Sequence, residues 1–315
     1  MRLEYQIIAA VILDFILGDP RWLPHPARGI GHLAAWAEPR ARRLIPQARV
    51  AGGIAWLLVV GFAGALAWGI RTGFAWMHPV LGDIAGIWII YTTLAARDLA
   101  QHSSAVHGAL AAGDLPAARR KVAMIVGRDT DRLDEPEITR ATVETVAEST
   151  LDGVTAPLFF AFLFGPVGAM AYRAVNTLDS MWGHKDERYR MFGWTAARSD
   201  DVANWIPARL TGACMALASW VLRLSGGNAW RILWRDARRH PSPNSGFPEA
   251  AMAGALRVRM GGTNYYDGEP ESRPHIGDPF GIFEARHILL ANRLMLATVL
   301  LFAVIGFAIR HLLKG

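Results

Sequence analysis

Apolar residues gather in six stretches, at about 5–17, 51–70, 80–96, 155–175, 203–224 and 289–309, and polar, charge-rich segments separate them. A helix needs about 20 residues to cross the hydrocarbon of a bilayer. The second stretch, "GGIAWLLVVGFAGALAWGI", has no charge before Arg71, and the last, "LMLATVLLFAVIGFAI", is equally clean and runs into Arg310, His311 and Lys314. Both predict spanning helices. The first and third are shorter and predict shorter spans. The first resembles a signal peptide, but no small-residue cleavage site follows and Asp14 interrupts it, so a retained helix is expected. The fourth, "APLFFAFLFGPVGAMAYRAV", is broken by Gly165-Pro166. Proline removes a helical hydrogen bond and clashes with the preceding turn, so two re-entrant half-helices are favoured over one kinked span. The fifth, "WIPARLTGACMALASWVLRL", carries Arg209 one turn inside its start.

Three polar segments, 19–50, 97–153 and 225–288, read as large loops. The first holds arginines at 21, 28, 40, 42, 43 and 49 against Asp19 and Glu38, which places it in the cytoplasm by the positive-inside rule. The pattern predicts an all-α, polytopic integral membrane protein with five to six membrane segments, the fourth of them re-entrant. It would form a single domain over 1–315, in the inner (cytoplasmic) membrane with its chemistry facing the cytoplasm.

Composition supports this picture. The chain of 315 residues is 52% hydrophobic and 19% charged, with 12 tryptophans and 31 glycines, both favoured in membrane proteins. The net charge of +6 comes without a compact basic stripe interleaved with aromatics, so nucleic acid is not expected as a partner. The one cysteine, Cys214, lies in an apolar run and excludes an internal disulfide framework.

Candidate chemistry lies in the charged segments. "LDEPEITRATVETVAESTLDGV" predicts a helix, with Asp134 and Glu137 at capping-box spacing and Pro136 in the first turn. Arg140, Glu144 and Glu148 follow in steps of four and share a face, which Asp152 continues if the helix persists. The plain alternative is an Arg140–Glu144 pair with Glu148 in solvent. The functional reading is a carboxylate face that holds a cation or takes a proton. "NTLDSM" pairs Asn176 with Asp179, three residues apart, and "SDDVANW" pairs Asp201 with Asn204 in the same way, preceded by Asp200. Clustered Asp and Asn oxygens suit Mg²⁺, although capping also explains an acid at such a place. "GRDT" (127–130) offers Arg128 to a phosphate, and the turn in "HPSPNSGFPEAA" offers Ser242, Asn244 and Ser245 at a helix start. No P-loop and no zinc spacing occur. His25 and His102 read as hydrogen-bonded surface histidines, and Asp14 as a partnered intramembrane acid.

"LDFILGDPRWLPHPARGIG", "AARDLAQH", "IVGRDTDRLDEPEITRATVETVAESTLDGVTAPLFF", "AYRAVNTLDSMWGHK", "DDVANWIPARLT" and "HPSPNSGFPEAAMAGAL" together resemble the adenosylcobinamide-phosphate synthase family (CobD/CbiB) of cobalamin biosynthesis. The resemblance covers nearly the whole chain and is most specific over 125–212. It departs at Ser149, where the family commonly has Asn. It implies a membrane enzyme, an ATP-dependent ligase needing Mg²⁺, that joins adenosylcobyric acid to aminopropanol or its O-phosphate by an amide bond at the f propionate. It also implies the lipid bilayer and other membrane-bound enzymes of the same pathway as partners. Residue chemistry then assigns Asn176, Asp179, Asp200, Asp201 and Asn204 to the metal. Arg128, Asp129, Thr130, Lys185, Ser242, Asn244 and Ser245 would hold ATP or phosphate, and Glu144 or Glu148, with Asp152 nearby, would act as base. The rival readings are a non-catalytic AmpE-like membrane sensor, which needs no phosphate and metal ligands together, and a transporter, which predicts inverted halves that the sequence lacks.

Overall fold

A computed structural model describes residues 1–20, 25–184 and 186–314. The chain packs as two compact units, one of Met1–Ala95, Asp152–Asn204 and Ala303–Gly315, the other of Ala96–Leu151 and Trp205–Phe302.

The first unit begins with α1 (Leu3–Leu17), α2 (Pro26–Leu44), α3 (Ala48–Met77) and α4 (Pro79–Tyr91). Helix α2 starts where the pattern allows it: Pro26 occupies the first turn, and His25 Nδ1 accepts from the Ala27 amide at 3.2 Å. Helix α3 buries Ala51, Ala55, Val59, Ala63 and Ala67, a stripe of small side chains at steps of four. That stripe lets neighbouring backbones come close. At Gly52 the approach is extreme, since a Cβ there would lie 1.8 Å from the Phe192 carbonyl oxygen. Gly52→Ala should therefore destabilise the protein by about 2 kcal/mol or more, read as a lowered melting temperature in detergent; an unchanged value would show that the Phe192 loop moves aside.

The second unit opens with α5 (Ala96–Ala111), α6 (Leu115–Val122) and α7 (Glu135–Thr150). The predicted capping box opens α7, with Asp134 accepting from the Glu137 amide at 2.9 Å and Glu137 accepting in return at 3.1 Å. A π-turn, Leu151–Thr155, then leads the chain into α8 (Ala156–Trp182) of the first unit. Gly165 breaks α8 with φ 68° and ψ −155°, one residue before Pro166, where the sequence places the interruption. Helix α9 (Trp194–Ala203) completes this part of the first unit, whose core joins Ile30, Ala51, Met170, Leu178, Trp182 and Phe192. The Trp182 and Phe192 rings meet edge to face at 5.1 Å.

The second unit continues with α10 (Trp205–Val221), α11 (Gly226–Asp236) and α12 (Gly246–Leu256), then strands β1 (Met260–Tyr266) and β2 (Glu269–Ile276). Helix α13 (Arg286–Lys314) closes the chain and contributes to both units. Every residue of α12 except Phe247 is buried, and the helix packs against α7, α10 and α11. The strands form an antiparallel hairpin turning at Asp267 (φ 52°) and Gly268 (φ 82°). Positive φ at both central residues is what a tight type I′ turn needs, and Asp-Gly tolerates it.

Four helical runs are long and apolar enough to cross a membrane: Ala48–Met77, Pro79–Ala111, Glu135–Trp182 and Arg286–Leu313. The protein is an all-α polytopic membrane protein with one small hairpin. All six apolar stretches lie on helices, but α1 with 15 residues and α10 with 17 are shorter than a usual span.

The three segments expected as loops need correction, except at α7 and at the start of α12, where the sequence predicts a helix. They hold α2, α5, α6, α7, α11, α12 and the hairpin. Helix α11 shows why they read as polar: it buries Ala229, Ile232, Leu233 and Asp236 on one face while Trp234 is exposed. A single apolar face lowers mean hydropathy without preventing a helix. The hairpin was legible in "YYDGEPE", an Asp-Gly pair beside strand-forming residues.

Candidate active site

In the second unit, acids on α7 and α12 are drawn together under the hairpin. Arg128 donates to Glu144 Oε2 at 2.7 Å and to Asn264 Oδ1 at 2.9 Å. Glu144 Oε1 accepts from the Gly261 amide at 2.9 Å and lies 3.5 Å from Arg140 Nη1. Arg140 also donates to the Gly261 carbonyl. These bonds tie the start of β1 to the middle of α7. The Glu144 and Arg128 side chains are only 9% and 7% exposed, so each charge depends on its partner. At the other end of the strand, Asp129 accepts from the Asp267 and Gly268 amides at 3.2 and 2.8 Å and thereby caps the turn. Thr130 is buried.

One turn beyond Glu144, Glu148 is exposed and its Oε1 accepts from Ser245 Oγ at 3.1 Å. The plain reading of α7, with Arg140 paired to Glu144 and Glu148 open to solvent, thus holds in geometry. Glu148 nonetheless belongs to the edge of a larger group. Ser242 Oγ accepts from the Asn244 and Ser245 amides, both at 3.2 Å, which organises the turn before α12. Asn244 and Ser245 are buried.

Glu249, in the first turn of α12, is 5% exposed. Burial, and then the charges of Glu144 and Glu148, hold its carboxyl well above the usual carboxylate range, while Arg273 and Arg128 pull the other way. His240 Nε2 stands 3.5 Å from Glu249 Oε1, and His240 Nδ1 accepts from the Ser242 amide at 3.0 Å. Burial pushes the His240 imidazole below its ordinary value, against the charge of Glu148. Arg273, on β2, acts electrostatically on Glu148, Glu249 and His240 and donates to Tyr266 Oη at 2.8 Å.

A second acid group belongs to the first unit. Asp200 Oδ2 accepts from Asn204 Nδ2 at 2.9 Å, and Oδ1 accepts a long bond of 3.5 Å from Asn176 Nδ2. Asn204 Oδ1 in turn accepts from Tyr172 Oη at 2.9 Å. Burial first, then the charge of Asp179, raises the Asp200 carboxyl to about 7; the two asparagines oppose that rise and Asp201 adds to it. Asp201 pairs with Arg198 at 3.2 Å. Asp152 also lies in this unit, on the π-turn, within electrostatic reach of Tyr172 and Arg173.

A hard cation would relieve the repulsion between Asp179 and Asp200. Among the described residues no three His, Cys, Asp or Glu side chains form a metal-holding group. Mg²⁺ needs no such cage, because it commonly takes one or two carboxylates with water and substrate phosphate. The residues that fit are Asp179, Asp200 and the side-chain oxygen of Asn176. Asn204 already spends its oxygen on Tyr172 and acts on Asp200 through its amide.

The structure therefore groups Arg128, Glu144, Glu148, Ser242, Asn244 and Ser245 in the second unit, and Asp152, Asn176, Asp179, Asp200, Asp201 and Asn204 in the first. Asp129 is occupied by the hairpin turn. Lys185 lies outside the described residues. Glu249, His240, Asn264 and Arg273 escaped the sequence reading. Glu249 and His240 flank the quoted "HPSPNSGFPEAA" turn and could have been found there; Asn264 and Arg273 are brought in by the hairpin and carry no local signal. Cys214 is buried, as its apolar setting predicts. His25 and His102 each make a local bond, and buried Asp14 lies near Tyr91.

The family model described as CobD/Cbib protein matches residues 7–295. Cobalamin biosynthesis protein CobD of Geobacter metallireducens is 54% identical over 89% of this chain and 88% of its own length. The protein of the same name from Pelobacter propionicus is 47% identical, over 97% of this chain and 95% of its own. Cobalamin biosynthesis protein CbiB of Salmonella typhimurium is 49% identical over 85% of each chain. No solved structure matches.

Proposed function

The chain belongs to the CobD/CbiB family, and from that premise we propose that this protein of cobalamin biosynthesis is an acid–amine ligase. It joins adenosylcobyric acid to (R)-1-aminopropan-2-ol, carried as its O-phosphate, through an amide at the f propionate, with ATP as cosubstrate and Mg²⁺ as cofactor. The observation that supports this reading best is the second unit's buried mixture of acids and guanidiniums. Glu148 and Glu249 offer carboxylates to an ammonium, and Arg273 and Arg128 offer positive charge to a phosphate. An amino alcohol phosphate carries both charges, and such a pair of recognitions fixes its orientation.

A carboxylate is a poor acyl donor, and ATP supplies the phosphoryl group that makes it a good one. Mg²⁺, held by Asp179, Asp200 and Asn176, would neutralise charge on phosphate. The protein's own residues then have two tasks, binding the nucleophile by its charges and removing a proton from its ammonium. Glu144 is fully engaged by Arg128, Arg140 and the Gly261 amide, so it serves as a strut and not as the base. Working at the membrane suits a large, partly apolar corrinoid and the membrane-bound enzymes that act alongside this one.

Detergent-purified protein incubated with adenosylcobyric acid, ATP, Mg²⁺ and aminopropanol phosphate should yield a corrinoid heavier by the amino alcohol phosphate less one water, read by mass spectrometry. Parallel arms with free aminopropanol and with ethanolamine phosphate define the nucleophile, and EDTA should stop the reaction. Unchanged corrinoid in every arm would refute the proposal.

A further inference from the structure

The geometry points to Glu249 as the group that takes the proton from the amine nucleophile, with His240 positioning its carboxylate; this rests on the ligase reading above.

Among the three glutamates of the second unit's group, Glu144 has both oxygens engaged, by Arg128 and by the Gly261 amide with Arg140 beside it, so two guanidiniums and an amide compete with any substrate proton. Glu148 is exposed, and its Oε1 already accepts from Ser245 Oγ at 3.1 Å. Glu249 differs from both. It is buried on the first turn of α12, and among the described residues no guanidinium reaches it at salt-bridge distance. Its one close partner of opposite character is His240, at 3.5 Å.

The imidazole is oriented from behind. Its Nδ1 accepts the Ser242 amide proton, so the ring's own proton sits on Nε2, the nitrogen that faces Glu249. That nitrogen is buried and makes no hydrogen bond, with Glu249 Oε1 its near neighbour at 3.5 Å. A neutral His240 thus aims a donor at one carboxylate oxygen and leaves the other to meet an incoming ammonium. Asn264, on β1, accepts from Arg128 through Oδ1, and its Nδ2, also buried without a hydrogen-bond partner, offers a donor to the substrate's anionic end.

The groups facing Glu249 set its basicity. Glu144 and Glu148 on α7 raise it; Arg273 on β2 and Arg128 before α7 lower it. On α11, Asp236 is consumed by Arg235, and on α10 Arg209 lies over the Phe247 ring. A carboxyl held above its usual range is a better proton acceptor at working pH.

The step balances. The Glu249 carboxylate takes one proton from the R–NH₃⁺ group and becomes neutral. The freed amine attacks the acyl phosphate carbon; the C–N bond forms, the C–O bond to phosphate breaks, and the departing phosphate carries away the nitrogen's second surplus proton. Glu249 then returns its proton to water.

The test is a rate–pH profile of the full-length protein in detergent, with adenosylcobyric acid, ATP, Mg²⁺ and aminopropanol phosphate. Wild type should gain activity as pH rises through the elevated Glu249 ionisation. Glu249→Gln, which keeps the shape, should lose at least about 100-fold in kcat near neutral pH and keep its KM for ATP. Its remaining rate should climb only where the free amine appears in solution, well above neutral. Glu249→Asp should recover part of the loss. His240→Phe, which removes the donor, should move the wild-type limb to higher pH. A Glu249→Gln protein that melts like wild type and keeps its pH profile overturns the assignment while the ligase reading stands. An inactive wild type overturns both. Should Glu249→Gln fail to fold, an unshifted His240→Phe limb overturns the assignment.

Discussion

Glu144→Ala should lower the stability of the folded protein by about 3 to 5 kcal/mol and abolish product formation. The magnitude follows from what is left behind. Arg128 would remain buried without its carboxylate, and stranding one member of a buried pair costs far more than the pair contributes. The Gly261 amide would lose its acceptor too, adding about 1 to 3 kcal/mol if water fails to enter. Arg128→Ala should cost a comparable amount for the mirror reason, and Arg128→Ala/Glu144→Leu should cost clearly less than the two single changes added together, because it removes both charges. Denaturant titration in a fixed detergent measures all three. A loss below about 1 kcal/mol for Glu144→Ala would mean that the Arg128–Glu144 pair is solvated and the hairpin is anchored elsewhere.

The second large effect is a pH dependence centred on Asp200. Its carboxyl ordinarily ionises near 3.8 and is raised to about 7 in the folded protein. Between those values the unfolded chain has released a proton that the folded chain retains. Stability is therefore highest below about pH 4 as far as this group is concerned, falls as pH rises toward 7, and levels off above it. The full span corresponds to about 4 kcal/mol. Asp200→Asn removes the titration while keeping a side chain of the same shape. In EDTA the variant should melt progressively higher than wild type from pH 5 to 8, with a constant difference above pH 8. Adding Mg²⁺ at pH 8 should raise the melting temperature of wild type and leave Asp200→Asn unchanged. Parallel melting curves for the two proteins across that range would show that Asp179 and burial exert no such pressure.

Much of the fold was legible because the physics is local. The six apolar stretches lie on helices, since a long apolar run has few other ways to satisfy its backbone in lipid. The Asp134–Glu137 capping box and the Gly165-Pro166 interruption were readable because each depends on neighbours in the chain. The polar segments were misjudged because α2 and α11 hide one apolar face each, and total polarity masks a periodic one. The hairpin went unread despite its Asp-Gly turn.

The candidate site divides along the same line. Spacing puts Arg140, Glu144 and Glu148 on one helix face at steps of four, and it pairs Asn204 with Asp201, three residues away; in the structure Asn204 bonds instead to Asp200, and Asp201 pairs with Arg198. Their separate duties could not be read this way. In the sequence Glu144 is indistinguishable from Glu148; Arg128 and the Gly261 amide, 16 and 117 residues away along the chain, set it apart.

By itself the sequence determined a membrane protein of helices and a chemistry of acids, amides and arginines, because side-chain hydropathy and helical period act over a few turns. Only the tertiary structure decided which carboxylate is a strut, which is paired and which is left buried beside a histidine. Burial and long-range charge set a carboxylate's proton affinity, and both come from residues remote along the chain, brought close when α7, α12 and the hairpin pack.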